Sequence, residues 1–308
     1  MPVASVRPWL LVALFCASSL ADAASGRRVE HTLSAIALRL DHYARALDAH
    51  FGDKRLLLEQ ANSRMILGVK GLLQQRGDNA LDYALRFKLR LPRFAHRLHL
   101  FFSGDSGNDS DLGDSSDFFG PRSSLDKSSN LGLQYFLREK EQTTISLRGG
   151  LKLQRLAPRI FLGPRYRHTF EAGRWLGHFS EELLWHGDDG WQSDTQLGFE
   201  HLLGERRLLR VRLRGLWLEE AENGYAYSLD LGIDQKLRSG EVLRYEWNNA
   251  FKSGVAGQLD ESRLRLRYRR PLWRKKLFGE IAPQLALYRE GDFRADWGIE
   301  LKVELVID

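Results

Sequence analysis

The chain has 308 residues with 46 Lys and Arg against 40 Asp and Glu, a net charge of +6. Its basic residues alternate with Leu and Val instead of clustering on one patch, which excludes a nucleic-acid footprint. With 28 Gly but only 8 Pro, the composition fits a strand-rich chain without deciding for one.

The first segment reads as an export signal covering 1–23. Arg7 supplies the positive end and Trp9 to Leu20 the apolar centre. Ala21-Asp22-Ala23 is a small-x-small cleavage site, so the mature chain is expected to begin at Ala24. Removing 1–23 takes away Arg7 and Asp22, and the charge stays at +6. Cys16, the only cysteine, lies inside this segment, preceded by Ala13-Leu14-Phe15, a poor lipoprotein signal. The mature chain would then have neither disulfides nor thiolate chemistry. Beyond it no apolar run approaches the roughly 18 residues of a spanning helix. Any membrane crossing must be made by strands.

A periplasmic amphipathic helix is predicted within 24–54. Val29, Leu33, Ile36, Leu40, Tyr43, Leu47 and Phe51 recur at helical spacing over residues 27–51, with Arg28, Arg39, Asp41, Arg45 and Asp48 off the stripe. Gly52 follows as a C-cap. Such a stripe either packs in the mouth of a barrel, plugging it, or forms a short coiled-coil arm for self-association or a periplasmic partner.

Residues 55–308 form the third region, and period two dominates it. Arg263-Leu264-Arg265-Leu266-Arg267-Tyr268-Arg269 alternates strictly, as do Arg210 to Arg214 and Leu85 to Leu91. About fourteen strands are expected, with twelve as the alternative. Their cores are 62–74, 80–91, 96–103, 129–138, 142–153, 159–169, 175–186, 191–202, 206–218, 224–236, 241–252, 262–271, 276–289 and 295–307. Pro164 is expected to break the sixth. Tight connections such as Ala172-Gly173, Gly204-Glu205 and Ser239-Gly240 alternate with longer ones such as Gly104 to Ser128 and Glu219 to Gly224. Trp185, Trp191, Trp217, Tyr225, Tyr227, Tyr288 and Trp297 flank the longer loops. Trp175, Trp273 and Phe278 lie near the tight turns.

This pattern resembles the Gram-negative outer-membrane β-barrel class, with the signal at 1–23 and the barrel from about residue 60 to 308. The resemblance implies an all-β fold: a transmembrane, antiparallel, up-and-down barrel with short periplasmic turns, longer outer loops and two aromatic girdles. It also implies outer-membrane lipid and the barrel-assembly machinery as partners. Trp297 to Ile307 looks like the closing strand offered to that machinery, although Asp308 replaces the usual terminal aromatic.

With apolar residues outward, the lumen is expected to hold Arg86, Lys88 and Arg90; Arg148 and Lys152; Arg165 and Arg167; Arg210, Arg212 and Arg214; and Arg263, Arg265, Arg267 and Arg269. Inward carboxylates are expected at Asp194, Glu200, Asp230, Asp234, Glu246, Glu280, Glu300 and Glu304. Cross-strand pairing accounts for most of them. The basic surplus would leave a lumen that attracts anions.

Asp109, Asp111, Asp114 and Asp117 belong to a Ser- and Gly-rich segment that is either an external loop or a constriction loop folded against the arginines. Its spacing does not match a calcium loop. His178-Phe179-Ser180 resembles the His-x-Ser pair of outer-membrane lipid hydrolases, with Glu182 on the same face. The phasing turns these side chains into the lumen, away from lipid. His96 and His99 are expected in a solvated turn. No metal site, cofactor motif or enzymatic activity is expected. The leading function is a passive, anion-preferring pore. The alternatives are a non-conducting barrel whose helix recruits a periplasmic partner or a second copy, and a lipid hydrolase.

Overall fold

The computed structural model describes residues 35–51 and, with gaps at turns and loops, 64–307; the larger gaps are 52–63, 91–96 and 106–127. The signal segment, the start of the helical stripe and the four loop aspartates Asp109, Asp111, Asp114 and Asp117 lie outside the described residues.

Fourteen antiparallel strands close into one barrel, each paired with its sequence neighbours, and the last pairs with the first. They are β1 (Arg64–Gln74), β2 (Ala80–Arg90), β3 (Leu98–Asp105), β4 (Ser128–Glu139), β5 (Thr143–Gln154), β6 (Ala157–Ala172), β7 (Trp175–His186), β8 (Gly190–Leu202), β9 (Arg207–Leu218), β10 (Tyr225–Lys236), β11 (Val242–Lys252), β12 (Gln258–Trp273), β13 (Leu277–Tyr288) and β14 (Ala295–Ile307). Closure runs from Met65 opposite Ile307 to Gln74 opposite Gly298. A strand of about twelve residues, rising about 3.4 Å each and tilted about 40°, spans the roughly 25 Å apolar band of an outer-membrane barrel.

Pro164 does not break the sixth strand. β6 runs through it for 16 residues. Its side chain is exposed on the outer wall opposite Leu147 of β5, and the β6–β7 pairing passes from Leu162–Trp185 to Arg165–Glu182, so the residue without an N–H sits where that ladder is interrupted.

Period two sorts the wall. In β9, Leu208, Arg210, Arg214 and Leu216 are buried inside, while Leu213 is 44% exposed outside. In β12, Arg265, Arg267 and Arg269 are buried, while Leu264 is 53% exposed. Leu81, Ile160, Leu162, Leu301 and Val303 are also exposed. An apolar outer band around a charged interior inverts a soluble protein and suits a barrel in lipid. Trp185, Trp191, Tyr227 and Trp297 at the long-loop end, and Trp273 at the other, are exposed on the outer wall.

Three tight turns hold glycine in left-handed backbone: Gly173, Gly204 and Gly240, at φ of 65, 76 and 80°. Residues with a Cβ are disfavoured there. These turns share one end of the barrel, the short-turn end.

The helix α1 (Ala35–Phe51) belongs to the same compact unit as the barrel. Its buried face is Ala37, Leu40, Ala44 and Leu47, at spacings of three, four and three. The expected stripe held Leu40 and Leu47 but not the two alanines. Small residues here let the helix backbone approach the barrel wall closely.

Candidate functional site in the barrel lumen

The inner wall carries a ladder of ion pairs running from strand to strand. His178 Nε2 on β7 lies 3.3 Å from Glu200 on β8. Arg210 on β9 lies 3.6 Å from Glu200 and 3.1 Å from Asp234 on β10. Arg244 on β11 pairs closely with Asp234 and lies 3.8 Å from Glu246. Glu246 meets Arg265 at 2.7 Å and Arg267 at 3.4 Å. Glu280 on β13 then receives Arg267 at 2.6 Å and Arg269 at 3.3 Å. Arg269 reaches Glu304 on β14 at 2.5 Å, and Lys302 meets the same carboxylate at 2.8 Å.

The members are almost sealed from water. Arg267 is 1% exposed, and Arg269 and Glu304 are both at 0%. Charges so placed persist because each carboxylate meets two or more basic side chains, and Arg210, Arg244, Arg267 and Arg269 each reach two carboxylates. Towards the long-loop end, Arg214 clamps Asp194 with two bonds of 2.9 and 2.6 Å, and Asn248 donates to Asp230 at 2.8 Å. Arg148 pairs closely with Glu182 and stacks over Phe101.

Of the residues singled out above, Arg86, Arg165, Arg210, Arg214, Arg265, Arg267, Arg269, Asp194, Glu200, Asp230, Asp234, Glu280, Glu300 and Glu304 are buried in the interior. Arg148, Lys152, Arg167, Arg212, Arg263 and Glu246 share the inward register and are partly exposed. The side chains of Lys88 and Arg90 lie outside the described residues.

Sequence reasoning missed Arg244, Lys302 and Lys70 as members of this wall. Arg244 and Lys302 were legible, because Arg244 is two residues from Glu246 and Lys302 two from Glu304. Tyr288 and Phe278 correct the girdle reading. Tyr288 turns inward, with its hydroxyl 3.5 Å from Arg263. Phe278 is buried inside, under the Arg269 guanidinium at 4.7 Å. Both follow the inward phase of Glu280 along β13. His99 is also corrected: it sits in β3, 1% exposed, edge-on to Phe136 at 5.0 Å, and not in a solvated turn.

His178 and Ser180 face the lumen as phased. The His178 ring is held between Thr169 Oγ1 and Glu200, both at 3.3 Å, and among the described residues Ser180 is not one of its partners. Among the described residues no three His, Cys, Asp or Glu side chains converge as a metal site. Glu181 lies instead on the opposite, outer face, where it accepts bonds from Ser193 at 2.7 Å and Thr195 at 2.5 Å. Its place in phase with Phe179 and Leu183 was the available signal.

The helix sits at the short-turn end of this lumen. Arg210 of the ladder donates through Nη2 to the backbone carbonyl of Ala44, a buried bond of 3.1 Å. Near the helix apolar residues join the charged ones on the inward face. Leu208, Val242, Phe278 and Val306 are buried near the short-turn ends of β9, β11, β13 and β14. The short-turn end of the lumen thus adds apolar side chains to the charged wall, and Val242 and Phe278 among them lie beside Leu47 of the helix. Between them remains a cavity of about 190 Å³ lined by Tyr43, Ala46 and Leu47 of the helix and by Lys236, Gly240, Val242, Pro271 and Phe278 of the barrel.

No protein-family model matches the sequence, nor does any curated protein. Solved structures do. The chain is similar to OprB of Pseudomonas putida at a TM-score of 0.50 and 8% identity, over 84% of this chain and 97% of that one. It matches CdiB from Acinetobacter baumannii at 0.50 and 12%, over 80% of this chain and 60% of that one. The outer membrane channel DcaP of Acinetobacter baumannii matches at 0.46 and 8%, over 80% and 96%. The chain has the fold of outer-membrane β-barrel proteins. At these identities the likeness is one of architecture.

Proposed function

We propose that the protein is a channel for small solutes in the outer membrane of a Gram-negative bacterium, exported by the cleaved segment 1–23 and preferring anions. Its short-turn end, with α1 and the C-terminus, faces the periplasm. The observation that carries this reading is the surplus of cations on the inner wall. Lys152, Arg165 and Arg212 face the lumen with no carboxylate within 4.0 Å among the described residues, whereas the neighbouring ladder is neutralised by pairing. Cations left over in a low-dielectric tube raise the local concentration of anions.

The test is the reversal potential of the full chain in a planar bilayer under a KCl gradient. An anion-selective potential is expected. A cation-selective potential, or no conductance from either wild type or a chain lacking residues 24–54, refutes the proposal.

A second reading is favoured by the exposed face of α1, where Leu38 is 48% exposed beside exposed Arg39, His42 and Arg45. In that reading the helix recruits a periplasmic partner or a second copy. Deleting residues 24–54 separates the two, because a channel goes on conducting and a recruiter loses its partner.

A further inference from the structure

We infer that the lumen carries a proton-dependent seat for a small inorganic anion, over Gly198 and between Arg212 and His178. Thr169, His178, Gly198 and Arg212 are direct cross-strand partners on β6, β7, β8 and β9. The phase that turns Arg212 inward turns all four inward. A Cβ built on Gly198 would meet nothing closer than 3.9 Å, so the wall is open between its two basic neighbours. Those neighbours are two strands apart, so an anion over Gly198 has one of them about 5 Å to either side. Arg212 is partly exposed and has no carboxylate within 4.0 Å among the described residues. The His178 side chain is 16% exposed, whereas His99 and His186 on the same wall are sealed at 1% and 6%.

The setting of His178 suits both protonation states of its ring. Nε2 lies 3.3 Å from the Glu200 carboxylate, which accepts, so Nε2 is the nitrogen that carries the proton in either state. Nδ1 lies 3.3 Å from the Thr169 hydroxyl, which donates to a bare nitrogen and accepts from a protonated one. Neither partner has to move when the ring takes up its second proton. Glu200 already serves Arg210 at 3.6 Å, so that proton is a net gain of one positive charge.

The other charges around the ring are mostly paired. On β7, Glu182 is held by Arg148; on β8, Asp194 is clamped by Arg214; on β10, Asp230 accepts from Asn248. Arg167 of β6, two positions from Thr169, adds a second permanent cation on the inward face. On α1, which lies against β7 and β8, Asp41 and Arg45 pair at 2.8 Å, and Arg39 and His42 are exposed. An imidazole changes its charge between pH 5 and 8. One added charge at about 5 Å in a water-filled lumen raises the occupancy of an anion about fourfold. The seat does not depend on the channel reading. Its consequence, an anion preference that rises as pH falls, rests on that reading.

Two measurements on the full chain test this, each at pH 8 and at pH 5: chloride-35 NMR line broadening in lipid nanodiscs, and the reversal potential under a KCl gradient. Chloride broadening and the chloride-to-potassium permeability ratio should both rise about fourfold at pH 5. His178→Gln, whose amide can still bond Glu200 and Thr169, should hold both at their pH 8 values. Gly198→Val, whose side chain stands in the seat, should remove the rise as well, while the barrel keeps its heat-modifiable gel mobility. Wild-type broadening that does not change with pH overturns the inference. So does a rise that survives either substitution, or a conducting wild type whose selectivity ignores pH. Chloride binding that depends on pH and on His178 in a protein with no conductance refutes the channel reading and leaves the seat standing.

Discussion

Replacing Leu40 and Leu47 together by Asp should undock α1 from the lumen and raise conductance. The two leucines are 2% and 3% exposed, so both side chains are almost wholly removed from water by docking. Burial of a leucine is worth about 1.5–3 kcal/mol, so the pair contributes about 4 kcal/mol to the docked state. The Arg210 bond to the Ala44 carbonyl adds about 1 kcal/mol. Removing the leucine contribution alone shifts the docking equilibrium by roughly three powers of ten. Two carboxylates in place of buried leucines make redocking costlier still. Single-channel recordings should therefore give the double variant a larger unit conductance than wild type, equal to that of the chain lacking residues 24–54. The barrel does not depend on the helix for its own closure, since β1 pairs directly with β14, so heat-modifiable mobility should be retained. Wild-type conductance in both altered proteins, with that mobility intact, would refute the placement of the helix as a plug.

Other consequences are as direct. Leu213→Arg puts a guanidinium against hydrocarbon at about 2–4 kcal/mol, so the heat-modifiable band should fade, whereas Arg212→Gln on the same strand should assemble normally. Glu280→Gln strips Arg267 and Arg269 of a shared charge, and the urea midpoint in detergent should fall by the equivalent of about 3–5 kcal/mol; an unchanged midpoint would show that the ladder adds nothing to stability. Arg165→Glu with Arg212→Glu should move the reversal potential towards cation preference, and an unmoved potential would assign anion selection elsewhere. Cysteine placed at 212 should react with a water-soluble thiol reagent while cysteine at 213 does not; the opposite pattern would reverse the register.

Much of the architecture was legible because a strand has a side-chain period of two. Once Leu213 and Leu264 are assigned to lipid, Arg210, Arg212, Arg265 and Arg267 have only the lumen left, and a slip of one residue would put every charge in hydrocarbon. The same rule already implied Arg244, Lys302 and the outward Glu181. It also implied that Tyr288 and Phe278 turn inward; their aromatic character had argued for a membrane girdle instead. What no local pattern contains is which charges meet. Glu280 lies 13 residues from Arg267 and Glu304 lies 35 from Arg269, and they touch because register and closure bring β12, β13 and β14 side by side. The seat of α1 is likewise absent from its stripe, which requires only some apolar surface. The closed barrel supplies that surface, because Leu208, Val242, Phe278 and Val306 come from separate strands and form a collar only when curvature gathers them at one end of the lumen. Periodicity is a property of neighbours along the chain, whereas a lumen is a property of strands that close on themselves.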